Sequence, residues 1–158
     1  MEFLAWLEGS AFATWVRESE SLWAYPTILT VHTVGLSFLV GANAALDLRM
    51  LGFAPGVPIA PLGILFRVMW LGFALNAASG VALFMADATT KASQPVFFVK
   101  LALIALGLLN IRLLRRHLSR NAAQLGSGSV PIGGRVLAGT SLALWAGAIT
   151  AGRLMAYL

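Results

Sequence analysis

Residues 96–114, VFFVKLALIALGLLNIRLL, decide what kind of protein this is. As an α-helix this stretch is about 28 Å long, close to the roughly 30 Å hydrocarbon thickness of a bilayer. Its charged members, Lys100 and Arg112, stand toward the two ends, where long side chains reach back to the headgroups. Working outward from it, three further apolar stretches of similar length appear, at about Leu22–Leu46, Leu62–Ala86 and Val136–Leu158. The spacing predicts an all-α membrane protein, a four-transmembrane-helix antiparallel up-down bundle, because the connections are short.

Composition points the same way. Hydrophobic residues make up 59% of the chain and charged residues 11%, with a net charge of +5. Water-soluble domains carry roughly a quarter charged residues, and a chain of 158 residues cannot hide this much apolar surface inside itself. The lipid bilayer is therefore the expected partner. The positive charges flank the spans and read as topology determinants, which removes nucleic acid from consideration. Cysteine is absent, excluding disulfides, thiolate metal sites and cysteine nucleophiles.

The connections are FAPGVPIAP at 53–61, a proline-rich turn; DATTKASQP at 87–95, a polar loop that leads to a helix start at Pro95; and SRNAAQLGSGSVPIGG at 119–134, a mobile Gly/Ser-rich segment. Arg112, Arg115, Arg116, Arg120 and Arg135 crowd around the third connection, with Arg49 and Arg67 beside the first. By the positive-inside rule these face the cytoplasm, which turns the N-terminus, the second connection and the C-terminus outward. Residues 1–20 form an expected N-terminal amphipathic interfacial segment: in 3–16, FLAWLEGSAFATWV, Leu4, Leu7, Ala11 and Trp15 fall on one helical face, as in a short helix lying on the outer membrane surface. Residues 21–158 form the four-helix transmembrane domain. The start of the chain lacks the positive region of a signal peptide, so no cleavage is expected.

Ionisable and amide groups at membrane depth demand a partner or a purpose. His32 is expected near the midplane of the first span, on one stripe with Gly35, Leu39, Asn43 and Asp47. The second span offers Gly72, Asn76 and Gly80, the third Lys100, Gly107 and Asn110. The fourth offers a small-residue ridge of Gly139, Ala143, Gly147 and Ala151, followed by Arg153 and Tyr157. Two clusters are predicted. Asp47, Arg49, Arg67 and Arg112 form a structural ion-pair group at the cytoplasmic boundary. His32, Asn76, Lys100, Asn110, Arg153 and Tyr157 converge between midplane and outer boundary as a cofactor-binding set.

A midplane imidazole with two outer cations is what a b-type haem needs: one axial nitrogen, here His32 on the iron, and partners for two propionates. A second axial bond would have to come from Met155, from His32 of another subunit, or from nothing; His117 lies at the wrong end of its helix. The same set suits a quinone, with His32 or Asn110 bonded to a carbonyl oxygen. The alternatives are a structural or accessory subunit without cofactor, in which His32 and an asparagine fix helix register, and a metal or small-solute permease. Two histidines and one Asp near the membrane make no ordinary metal site, and no catalytic set argues for an enzyme. The glycine ridge favours a homo-oligomer or a subunit of a membrane complex.

Several strings carry a resemblance: YPTILTVHTVGL with DLRMLG, SGVALF, FFVKLALIALGLLN and SLALWAGAITAGRLMAY. Together, over residues 22–158, the chain resembles a family of bacterial four-helix inner-membrane proteins of uncharacterised activity, itself distantly similar to the copper-resistance-D-like membrane proteins. His32, Asp47, Arg49, Gly80, Lys100, Asn110, Trp145, Gly152, Arg153 and Tyr157 fall at its motif positions. The resemblance implies a bacterial cytoplasmic membrane and a cofactor or metal role facing the periplasm. The chain lacks the clustered Met, His and Cys that copper binding would use.

Overall fold

The computed structural model describes residues 2–53, 56–57, 63–121 and 129–157, and these contain seven α-helices and no strand. Four are long: α3 (Tyr25–Leu51), α4 (Gly63–Met85), α6 (Pro95–Arg120) and α7 (Ile132–Leu154). Each is long and apolar enough to cross a membrane. Only 17–28% of each apolar window is buried inside the chain, so most of the apolar surface is left for lipid. The fold is an all-α, four-span bundle, as the hydropathy pattern predicts, and the chain is a multi-pass membrane protein.

The helix boundaries shift from expectation for local reasons. α3 starts at Tyr25 with Pro26 in its first turn, where a missing N–H costs nothing. It continues to Leu51, five residues past the expected end. There Gly52, at φ 104°, adopts the left-handed conformation that closes a helix and lets its N–H reach the Arg49 carbonyl. α6 runs on to Arg120, because the arginine-rich turns extend the helix beyond its apolar part. Most of the proline-rich turn and the centre of the Gly/Ser-rich segment lie outside the described residues, as does Leu158.

α3 packs most extensively on α4, α6 on α7, and α3 also on α7, giving the spatial order α4–α3–α7–α6. The α3–α4 crossing is a backbone contact. A Cβ on Gly35 would lie 2.7 Å from the Asn76 nitrogen, and one on Gly72 would lie 2.6 Å from the Leu39 nitrogen. On α7 the buried face is Gly134, Ala138, Ser141, Trp145, Ala148 and Ala151. The expected ridge is thus corrected. Gly139 and Ala143 face outward, while Trp145, seated against Gly107 of α6, sets the rotation of the helix. Leu39, Leu46, Met50, Met69, Ile111, Leu114 and Trp145 fill the centre.

α4 and α6 meet through long side chains. Phe84 stacks on Phe97 at the end where the termini lie, with centroids 5.2 Å apart. At the opposite, arginine-rich end, Arg112 stands 5.5 Å over Trp70 and Arg115 stands 5.9 Å over Phe66. An open cleft lined by Gly63, Ile64, Phe66, Arg67, Trp70 and Arg115 lies there.

The expected single N-terminal helix is two, α1 (Glu2–Glu8) and α2 (Ala11–Glu18). Ser10 interrupts it by capping α2, accepting the Ala13 N–H at 3.3 Å. The break resets the helical phase, so Ala13 and Val16 are buried instead of the Leu4–Trp15 stripe. The polar loop after α4 also contains a short helix, α5 (Ala88–Ser93), with Lys91 paired to Asp87 at 3.4 Å. Glu8 fastens α1 to α5 by accepting the Thr89 N–H at 3.0 Å and its hydroxyl at 2.7 Å, and Arg17 donates to the Ala86 carbonyl at 3.2 Å.

Candidate functional site around His32

The non-helical turn before Tyr25 places His32 seven residues into α3, about 10 Å below its end. It is therefore shallower than the expected midplane position. Its ring lies on α4. Nδ1 is 3.0 Å from the Asn76 carbonyl oxygen and 3.2 Å from the Ser79 hydroxyl. The Ser79 hydroxyl lies 2.6 Å from the Leu75 carbonyl, to which it gives its one proton, so toward the imidazole it accepts. A carbonyl and an accepting hydroxyl both require a proton on Nδ1. In the neutral imidazole Nε2 then carries the lone pair. It has no hydrogen-bond partner among the described residues and is not enclosed. Gly80 makes the space: a Cβ there would meet the His32 ring carbon Cε1 at 3.2 Å.

Asn76 returns the contact, its side-chain amide donating to the His32 carbonyl at 2.9 Å. Lys100 of α6 stretches over Gly152 of α7, where a Cβ would be 3.5 Å from its ammonium nitrogen. It lies within electrostatic reach of His32 and has no carboxylate partner among the described residues. An imidazole with one free nitrogen and a half-buried cation without a carboxylate partner therefore share one end of the bundle. Such a pair can accept a proton from, or donate one to, the two ends of a polar ligand headgroup.

The remaining predicted residues stand elsewhere. Asn110 donates to the Leu137 carbonyl at 2.9 Å, tying α6 to α7 in the half nearer the arginines. Arg153 and Tyr157 are exposed and pair with each other, the guanidinium 5.1 Å from the ring centre. The set thus reduces to His32, Asn76 and Lys100, with Ser79 added. Ser79 follows Asn76 by three residues, which puts it on the same helical face, and that spacing is the signal in the sequence that finds it.

The predicted ion-pair group at the other end is not assembled. Among the described residues Asp47 pairs with no arginine. One carboxylate oxygen accepts from the Asn43 amide, which also donates to Ser141 of α7. The helical phase explains this. Asp47 lies one turn from Asn43 on the face toward α7. Arg67 lines the cleft, Arg112 covers Trp70, and the Arg49 ε-nitrogen donates to the Val57 carbonyl at 2.6 Å. His117 ends up against Gly133 and Gly134, at the opposite end of the bundle from His32.

Comparison of the chain with protein-family models, with curated proteins and with solved structures finds no match.

Proposed function

We propose that this membrane protein binds a redox cofactor at the end of the bundle where its termini lie, with His32 Nε2 as the binding atom and Lys100 as the facing cation. The observation that carries this reading is the tethered imidazole. A histidine that binds through one nitrogen has its other N–H held by a carbonyl, which fixes both tautomer and direction. His32 has that arrangement, and Lys100 lies within electrostatic reach of it. A quinone headgroup suits the pair best: in the oxidised form a carbonyl oxygen would accept from Lys100, and in the reduced form a quinol hydroxyl would donate to Nε2. For a b-type haem the free Nε2 fits the iron. The propionates would have Lys100, but Arg153 is turned to Tyr157 and the described clefts lie at the other end. Haem therefore fits less well than quinone.

The setting that goes with this reading is a bacterial inner membrane, with the arginine-rich end cytoplasmic and the site opening to the periplasm. The outward face bearing Gly139 and Ala143 would serve a second copy of the chain or another subunit. The resemblance to the bacterial four-helix family stands as part of the same proposal.

The test is a reduced-minus-oxidised visible spectrum of the detergent-purified protein, with organic extraction of bound quinone, beside His32→Ala. Quinone present in the wild type and lost in the variant supports the preferred form. A b-type band lost in the variant assigns haem. A flat spectrum with no quinone leaves the second reading, a cofactor-free structural subunit. The doubled His32–Asn76 contact between α3 and α4 favours that reading, because it would fix helix register by itself.

A further inference from the structure

Asp47 is the one fully buried carboxylate among the described residues, at 0% exposure, with Asn43 and Ser141 at 1% each. Asn43 Nδ2 touches both others, so the three side chains meet at one point between α3 and α7. Two oxygens at this point, Asp47 Oδ1 and Asn43 Oδ1, are enclosed and have no hydrogen-bond donor. Among the described residues no Lys or Arg forms an ion pair with the carboxylate. Arg49 is turned to Val57, Arg67 and Arg115 line the cleft with Phe66, Arg112 covers Trp70, and Arg135 lies beside Gly52.

A carboxylate in a low-dielectric interior requires a compensating positive charge, and orphaned buried acceptors mark a missing water or ion. A water would satisfy the oxygens and leave the charge. A divalent ion would bring one charge too many for a single carboxylate. We propose that Asp47, Asn43 and Ser141 form an intramembrane binding site for one small monovalent cation, Na+ or a proton. Carboxylate, amide and hydroxyl oxygens are the donors that a hard cation takes. Asp47 lies four residues from the end of α3, about 6 Å in, so the site exchanges with the arginine-rich side. The site does not depend on His32, which lies toward the other end of α3.

The experiment uses the purified full chain in detergent. Its unfolding temperature is followed against NaCl with choline chloride as control, and the infrared carboxylic-acid band is recorded at neutral pH. If Na+ binds, the midpoint rises saturably, by about 5–10 °C at a hundredfold excess over Kd. The response is lost in Asp47→Asn and weakened in Ser141→Ala. If the occupant is a proton, Na+ has no effect and a neutral acid band is present that Asp47→Asn removes. No Na+ response together with no acid band overturns the proposal. Both wild-type measurements stand even where Asp47→Asn fails to fold, and Ser141→Ala then serves as the variant.

Discussion

His32 and Asn76 are bonded to each other twice: the imidazole Nδ1–H donates to the Asn76 carbonyl, and the Asn76 amide donates to the His32 carbonyl. Each residue thus contacts the other's backbone, so α3 and α4 are held in both register and rotation by one pair. The two halves of this exchange differ in consequence. The Asn76 amide serves the helix pair, whereas the His32 bond also aims a free nitrogen away from α4.

The two substitutions at this pair are therefore expected to separate. Asn76→Ala lowers stability by about 1 kcal/mol, the usual scale of an interhelical hydrogen bond in a membrane, and leaves some ligand bound. His32→Ala costs a similar amount and abolishes ligand binding. Reversible unfolding in mixed micelles, with bound cofactor measured in parallel, checks both. Equal ligand retention in the two variants would contradict the role given to Nε2.

Gly72→Ala is expected to destabilise by about 1–3 kcal/mol, the range for overpacked cores. Its new Cβ would meet the Leu39 nitrogen and the Gly35 oxygen, which are backbone atoms and cannot rotate away. Gly139→Ala, with nothing within 4 Å, is expected to be neutral in the monomer. Thermal unfolding of the pair distinguishes a close crossing from a general intolerance of glycine replacement.

Glu8 supplies a pH-dependent fastening. The Thr89 hydroxyl, then the Thr89 N–H, hold its carboxyl below the usual range, with Arg17 adding a smaller effect in the same direction. Because the folded-state value is lowered, the contribution is complete above the ordinary carboxylate range and is lost as the pH falls through the lowered value. Acidification should release α1 from α5, seen as a change in Trp6 fluorescence, and Thr89→Val should remove the hydroxyl's share. A signal independent of pH would show that Glu8 does not hold the helix.

The orientation is open to a direct test, because the chain has no cysteine to interfere. Ser93→Cys at the end of α5 is expected to react with an impermeant thiol reagent on intact cells. Ser119→Cys, near the end of α6, is expected to react only after permeabilisation. The reverse pattern would invert the topology drawn from the arginines.

The four spans were legible in the sequence because burial in lipid is decided by the apolar content of each helix alone, whatever its neighbours. Pro26, Gly52 and Pro95 likewise act through their own backbone, and they mark helix ends that a hydropathy window misses by a few residues. Rotation is different. The ridge Gly139–Ala143 reads from spacing as a packing face, yet Trp145 needs the space that Gly107 leaves, and satisfying it turns those two residues outward. Asp47 reads beside Arg67 and Arg112 as an ion pair, because a sequence gives depth but not azimuth. Asn43 is the neighbour of Asp47 by helical spacing, and only the packing of α3 against α7 brought Ser141 to the pair. In the same way the sequence places His32, Asn110 and Arg153 on membrane helices, and the tertiary structure turns Asn110 to the Leu137 carbonyl and Arg153 to Tyr157, apart from the His32 ring on α4. Depth is a property of one helix and its solvent. Which side chains meet depends on the relative rotation of helices, which is set by close contacts between residues far apart in the chain.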